Sequence, residues 1–409
     1  MTSDVHALTP FSRYQKFVVG LLATLQFAVI IDFMLMAPLG AMIMPALSMS
    51  TRQFGLVVSA YAFSAGLSGL LTAGFADRFD RKKLLLFFYG GFVIGTLWCG
   101  LAASFETLLL ARVVTGIFAG VIGSIVLAIA ADLFAPQSRG RVMGVIQTAF
   151  AASQVLGLPV GLYLANHWGW HAPFLLLAAM GAAGGLVILL AMHPVADHLA
   201  ARQEHSAFRH LYSTLATRRH WAAFAATAML TTGGYMLMPF SSAFTVNNLG
   251  IDITHLPSVY LFTGLCTIVT GPLIGRASDA FGKLPVFYTG SALTIIMVTL
   301  YTHLSNVPLP WVILVNAVMF VGIFSRLIPF QAMVAGVPEP SHRGAFNAVS
   351  SAIQQLSGGF ASLLAGHIVS IGADGKLQHF DVVGYFLVAT TLVAGYLVWP
   401  VQRGLLARH

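Results

Sequence analysis

The stretch Ala73-Gly74-Phe75-Ala76-Asp77-Arg78-Phe79-Asp80-Arg81-Lys82 closes an apolar run at about 53–75. A second stretch, Gly275-Arg276-Ala277-Ser278-Asp279-Ala280-Phe281-Gly282-Lys283, closes another apolar run at about 256–277. Setting Asp77 against Asp279 gives an offset of 202. Ser138-Arg139-Gly140 and His342-Arg343-Gly344 repeat at an offset of 204, also before apolar runs. Both offsets are near half of the 409 residues, which points to an internal duplication. Two parallel repeats of membrane helices are a transporter architecture.

Composition agrees. Apolar residues make up 57% of the chain and charged residues 8%, against about 25% charge in ordinary soluble domains. A surface needs charge to stay dissolved, so soluble enzyme, nucleic-acid-binding module, disordered scaffold and secreted disulfide protein are poor readings. Apolar runs fall at about 17–46, 53–75, 84–103, 107–132, 142–166 and 172–193. They resume at about 221–246, 256–277, 286–304, 310–336, 344–371 and 381–401. Each is near the roughly 20 residues that a membrane helix needs. The runs are continuous, which argues against an alternating membrane barrel. The expected fold class is an all-α membrane protein with twelve transmembrane helices in two parallel six-helix repeats. The first run is too long for a cleaved leader and reads as a span. Cys99 and Cys266 lie within apolar runs and read as small packing residues.

Charge placement predicts orientation. With the N-terminus inside, Arg52 and Lys376 fall outside, and Arg112 and Arg326 fall within the membrane. The other 17 of the 21 lysines and arginines fall on the inner side, which places both termini in the cytoplasm. The net charge of +8 therefore reports orientation, with no nucleic-acid partner implied. The absence of Asn-x-Ser/Thr sequons suits a bacterial inner (plasma) membrane. The organisation expected is an N-terminal bundle over 1–193, a cytoplasmic linker over 194–219 and a C-terminal bundle over 220–409. The linker reads as an amphipathic helix on the inner leaflet. Its histidines His198, His205 and His210 read as a solvated face, and no metal site is expected.

Asp77, Arg78, Arg81 and Lys82 resemble the loop signature of the major facilitator superfamily, Gly-x-Leu-Ala-Asp-Arg-x-Gly-Arg-Arg/Lys. Ala73 and Asp80 replace its two glycines, and the second half supplies both as Gly275 and Gly282. Arg112-Val113-Val114-Thr115-Gly116 is similar to the Arg-x-x-Gln-Gly signature of the drug:proton antiporter branch, which includes proteins labelled arabinose-efflux-permease-like. Gly157-Leu158-Pro159-Val160-Gly161 resembles the antiporter signature of span five, with one residue separating Gly157 from Pro159. The resemblance covers essentially the whole chain. It implies alternating access, a cavity lined by spans one, four, seven and ten, and an inner gate formed by Asp77, Arg78, Arg81 and Asp279. It also implies a close contact between spans two and five, near Gly157 and Pro159, that limits leak.

The remaining candidates come from the residues themselves. Asp32 lies within span one, where an ionised carboxylate costs at least about 2.5–3.5 kcal/mol. It must pair, face a cavity or carry a proton, and it is the candidate proton carrier. Arg112 sits about 9 Å into span four at 1.5 Å per residue, within reach of Asp32, and completes the coupling pair. Arg326, near the middle of span ten, either faces the substrate cavity or bonds carbonyls freed by Pro329. With one acid and two arginines, the cavity is expected to tolerate an anionic or zwitterionic substrate. Tyr235 follows the glycine pair Gly233-Gly234 and precedes Pro239 in a bendable span seven, so it is a candidate substrate contact. Gln147, Gln154, Gln354 and Gln355 supply uncharged hydrogen-bonding groups, with Gln147 and Gln354 taken for the cavity. Met34, Met36, Met42 and Met44 could form an adaptable apolar site.

These residues predict a secondary active transporter for a small amphipathic or drug-like molecule, running as a proton-coupled efflux antiporter. Its partners would be substrate, protons and membrane lipids, and it would act as a monomer. No cofactor is expected, since a proton gradient supplies the drive and no phosphate loop is present. The alternatives are a proton-coupled sugar or metabolite symporter and a lysolipid flippase. An intramembrane enzyme would need a convergent nucleophile, base or metal cluster, and none is spaced for it.

Overall fold

The computed structural model describes residues 11–72, 78–196, 199, 207–339 and 343–406. Asp77, with most of its loop, lies outside the described residues, as do His198 and His205. Twelve helical stretches of 20 residues or more follow one another among the described residues. Spans one to six are Arg13–Leu35, Thr51–Thr72, Arg81–Gly100, Phe105–Leu133, Gln137–Trp168 and Ala172–Ala191. Spans seven to twelve are Arg218–Leu237, Leu256–Phe281, Lys283–Thr302, Leu309–Ala335, Arg343–Ile368 and Phe380–Leu406. Ten of these helices are apolar enough to cross a membrane on composition alone. Spans seven and eleven are long enough but more polar. They carry the Thr231-Thr232-Gly233-Gly234 and Gln354-Gln355 segments, and a polar helix is tolerated where it lines a cavity.

Local chemistry sets the ends and breaks. Ser12 and Ser104 cap spans one and four through reciprocal side-chain bonds. Asp80 caps span three through the Lys82 amide at 2.7 Å. Span one stops at Leu35, and a short helix, Gly40–Ala46, continues its path, so the single run read from the sequence is two pieces. Span seven ends in a tight turn, Met238–Phe240, around Pro239, before the short helix Ser241–Asn247. Span five is interrupted by a wide π turn, Ser153–Gly157, just ahead of Pro159. Proline has no N–H for the carbonyl four residues back, and its ring crowds that carbonyl, so an extra residue in the turn relieves both.

Apart from spans two and eleven, which pack most extensively on each other, spans one to six pack mainly with one another, as do spans seven to twelve. The chain between the halves includes the helix Ala207–Ala216, which rests on spans seven and eleven. Among the described residues the halves meet most extensively at two places, span two on span eleven and span five on span eight, with a smaller contact between the short helices that follow spans one and seven. The two larger contacts are counterparts under the repeat, as a duplicated chain requires. Both favour one side of the bundle. Span eight touches the π turn and Leu158–Trp168 of span five, with Gly264 against Val155 and Gln154. On the side where the chain starts and ends, Gly140, Gly144, Gly271 and Gly275 of the same two spans face open space. Three side chains latch the far side across the halves. Thr51 Oγ1 donates to Val369 O at 2.6 Å, Ser242 Oγ to Ala37 O at 3.0 Å, and Asn166 Nδ2 to Ile253 O at 3.3 Å. The bundle is thus closed on the far side and open on the side of the termini.

Two packing expectations are corrected. The glycines of span five fit span one instead of span two. A Cβ on Gly157 would meet Ile31 at 2.5 Å, and one on Gly161 would meet Leu35 at 2.4 Å. The close partner of span two within its own half is span four, where a Cβ on Gly120 would lie 2.2 Å from Ala65 O. Among the four methionines read as an adaptable site, Met36 and Met44 are buried packing residues. Met34 alone reaches the central cavity, where Met238 of the turn after span seven and Met319 of span ten join it.

Candidate functional site: a neutral cavity beside a sealed ion pair

A cavity of about 520 Å³ lies between the halves, within the range of small-molecule sites. Span one presents Gln26, Val29, Ile30, Phe33 and Met34 to it. These positions recur every three or four residues, so one helical face meets the cavity. Opposite stand Tyr235 of span seven and Asn316, Met319 and Phe320 of span ten. Spans two, four, five, eight and eleven add Tyr61, Ser124, Gln154, Thr263 and Gln355, and span twelve adds Leu387. Among the described residues the lining contains no Asp, Glu, Lys, Arg or His.

This corrects the sequence reading of the cavity. Tyr235 lines it, whereas Asp32, Arg112 and Arg326 do not. Gln154 and Gln355 line it in place of Gln147 and Gln354. Gln147 is two turns nearer the open side and exposed, and Gln354 is exposed one residue away from the lining face. With no cation on the wall among the described residues, the expected tolerance of anionic or zwitterionic substrates loses its basis.

Asp32 and Arg112 come together behind the wall. Arg112 Nη1 donates to Asp32 Oδ2 at 2.8 Å, and Thr96 Oγ1 donates to Asp32 Oδ1 at 3.0 Å. The pair ties spans one, three and four, with Asp32 at 0% and Arg112 at 1% exposure. Asp32 is the only buried acid among the described residues. Arg112 Nε is also buried and has no hydrogen-bond partner among the described residues. Tyr61 separates the pair from the cavity. The Arg112 guanidinium carbon sits 4.4 Å from the Tyr61 ring centroid, a cation–π contact. Phe33 lies 5.2 Å from Tyr61 and 5.8 Å from Tyr235, so three rings run in a row along the wall. Tyr61 therefore touches both chambers. The sequence reading missed it, although its place in an apolar run beside two charged spans was the available signal.

Arg326 is also buried, and its Nη1 donates to Thr391 Oγ1 of span twelve at 2.6 Å. Neither expected role matches that bond, because its partner is a hydroxyl on a neighbouring helix. Arg81 pairs with Asp132 at 3.1 Å inside the N-terminal half, tying spans three and four. Arg78 and Asp279 are exposed. Among the described residues no hydrogen bond or ion pair joins Arg78, Arg81 and Asp279 to one another. No group of three metal-ligating side chains occurs among the described residues.

Twelve helices in two repeated halves, around a cavity sealed at one end, define a transporter. The chain belongs to the Major Facilitator Superfamily, which it matches over residues 22–240 and again over 223–404. It is 27% identical over 390 residues to the uncharacterized MFS-type transporter YceJ of Bacillus subtilis, covering 94% of this chain and 96% of that one. It is also 30% identical over 133 residues to Multidrug resistance protein 3 of Bacillus subtilis, covering 32% of this chain and 26% of that one. A solved bacterial homologue of the human lysosomal transporter Spinster, inward-facing and occupied, superposes with a TM-score of 0.75 at 18% identity. That match covers 96% of this chain and 98% of the homologue.

Proposed function

We propose that this transporter exports a small amphipathic, drug-like molecule in exchange for protons. The observation that carries the reading is the sealed Asp32–Arg112 pair, one aromatic ring away from an uncharged cavity. A proton-driven carrier needs a group that gains and loses a proton out of contact with bulk water. Asp32 is the buried acid available for this. The open side is the cytoplasm, as the bias of 17 cations indicates.

Substrate enters from the cytoplasm and lies against Tyr235, Phe33 and Tyr61. Protonating Asp32 removes the counter-charge of Arg112, whose Nε already lacks a partner. A buried charge without its partner is costly, so the arrangement of spans one, three and four changes with the proton. Tyr61 passes that change to the cavity wall through its contact with the guanidinium. A membrane potential of about 100 mV and one pH unit supply about 3.7 kcal/mol per proton, enough for roughly a 500-fold gradient of a neutral substrate. The multidrug naming of a partial relative agrees with this substrate class.

The test uses proteoliposomes loaded with a pH-sensitive dye and ligands selected by thermal shift. Antiport moves protons against the substrate flux, and Asp32→Asn abolishes that movement while the fold survives. Protons moving with the substrate would replace export by symport. Wild-type coupling in Asp32→Asn would remove Asp32 from the mechanism.

A further inference from the structure

The export reading leaves open which molecules the cavity accepts, and the internal repeat points to a residue that decides. At the offset of 204, Arg112 of span four falls on Asn316 of span ten. Each is the eighth residue of its helix. At offsets of 202 to 204, Asp32 falls on 234–236, the turn of span seven that carries Tyr235. The duplicated position is thus used in two ways. In the N-terminal half it is charged and shut away from the cavity. In the C-terminal half it is uncharged, and both Asn316 and Tyr235 line the cavity. Asn316 Nδ2 donates to Val312 O of its own helix at 2.9 Å, which leaves the amide oxygen as the free end. No hydrogen bond reaches Asn316 Oδ1 among the described residues, and it is not one of the sealed atoms left without a partner. It is therefore open to the cavity that the residue lines. The nearby hydroxyls of Ser241 and Thr263 already donate to Met238 O and Val259 O, so this end of the cavity offers acceptors. Spans alternate in direction, so span ten begins on the closed far side and Asn316 lies deep. Phe320 and Phe324 follow toward the open side at steps of about 6 Å. Both line the cavity, with centroids 6.5 Å apart and rings within 28° of parallel.

We propose that the cavity takes uncharged aromatic amphiphiles donor end first, with Asn316 Oδ1 receiving an N–H or O–H and the ring system lying along Phe320 and Phe324. Asn316 is then a specificity-determining residue of the substrate site, the open counterpart of the sealed Arg112. A buried acceptor without a partner favours the ligand that supplies one, and flat rings gain from the near-parallel aromatic wall. Charged analogues of the same shape meet a lining with no counter-charge among the described residues, and they bind on the order of tenfold or more weakly. The inference rests on the central cavity being the substrate site. It does not require proton coupling.

Equilibrium binding to the purified full-length protein in lipid nanodiscs, without any pH gradient, tests it. The probes are biphenyls that differ at one para position: hydroxyl, methoxy, carboxylate and aminomethyl, the last cationic at neutral pH. The hydroxyl probe is expected to bind best. The methoxy probe, which has no donor, is expected to bind about twofold to tenfold more weakly, and the two ions on the order of tenfold or more weakly. Asn316→Leu should bring hydroxyl and methoxy probes to equal affinity. Phe320→Ala should weaken both and leave their ratio unchanged. Asn316→Asp keeps the size of the side chain and should tighten the aminomethyl probe on the order of tenfold or more; it is the second reading if the leucine variant fails to fold. Binding of either ion to the wild type as tight as that of the hydroxyl probe, no binding of the hydroxyl probe, an undiminished hydroxyl preference in folded Asn316→Leu, or no gain of the cation in folded Asn316→Asp would each overturn the proposal. If the selectivity holds while dye-loaded vesicles show no proton movement, the coupling reading fails and the site assignment stands.

Discussion

The Asp32–Arg112 pair allows a quantitative prediction through three variants: Asp32→Asn, Arg112→Gln and the two together. Both partners are essentially inaccessible and 2.8 Å apart. Removing one partner of such a pair costs about 3–5 kcal/mol, because the remaining charge is buried without compensation. In Asp32→Asn, the Thr96 hydroxyl still has an acceptor, but Arg112 loses its carboxylate. In Arg112→Gln, Asp32 keeps the bond from Thr96 alone. The double variant has two neutral amides able to bond to each other, and exchange of a buried pair for neutral groups is often close to neutral. It should fall within about 1–2 kcal/mol of the wild type, an interaction energy of about 4 kcal/mol or more. Reversible unfolding in lipid bicelles measures all four proteins. Losses that simply add would refute the pair as a mutual solution to burial. Transport gives the second readout. The double variant should recover stability without recovering proton-coupled export, and restored coupling in it would refute Asp32 as the carrier.

Other variants test the wall and the latches. Tyr61→Leu removes a contact worth about 0.5–2 kcal/mol and opens the partition, so dye-loaded vesicles should show a substrate-independent proton leak; a tight membrane would contradict the partition. Thr51→Val removes the 2.6 Å bond across the far side, worth about 0.5–1.5 kcal/mol. The far-side-open population should rise roughly twofold to tenfold, read as faster maleimide labelling of a cysteine placed on that side. Gly264→Leu overpacks the contact with Val155 and Gln154, at about 1–3 kcal/mol. It should slow labelling of a cysteine introduced at Gly144 or Gly271, which face open space; unchanged labelling would show that this contact does not hold the closed side.

Much of the architecture was legible because membrane helices announce themselves by length and apolarity. The duplication was legible because the loops keep repeated residues while the spans diverge. The Asp32–Arg112 pair was legible too, since two buried charges of opposite sign on neighbouring helices have few other solutions. The direction in which a side chain points was much harder to read. Gln354 and Gln355 differ by one position, about 100° around the helix, and only Gln355 meets the cavity. In a soluble helix an apolar stripe would mark the buried face. Here lipid-facing and protein-facing sides are both apolar, and that signal is lost. Arg326 escaped for a related reason: its partner, Thr391, is one of many hydroxyls in the chain and carries no charge to point to it.

The wide turn at Ser153–Gly157 has a consequence for how relatives should be compared. One added residue gives the two ends of span five different angular frames. A family member without that residue would present its later positions rotated by about 100°, so Gly157 and Gly161 would not find Ile31 and Leu35. A faithful alignment of such a relative needs a one-residue gap inside the helix, a place where gaps are usually penalised most heavily. Aligned without it, every position after the turn would be matched to a residue on another face.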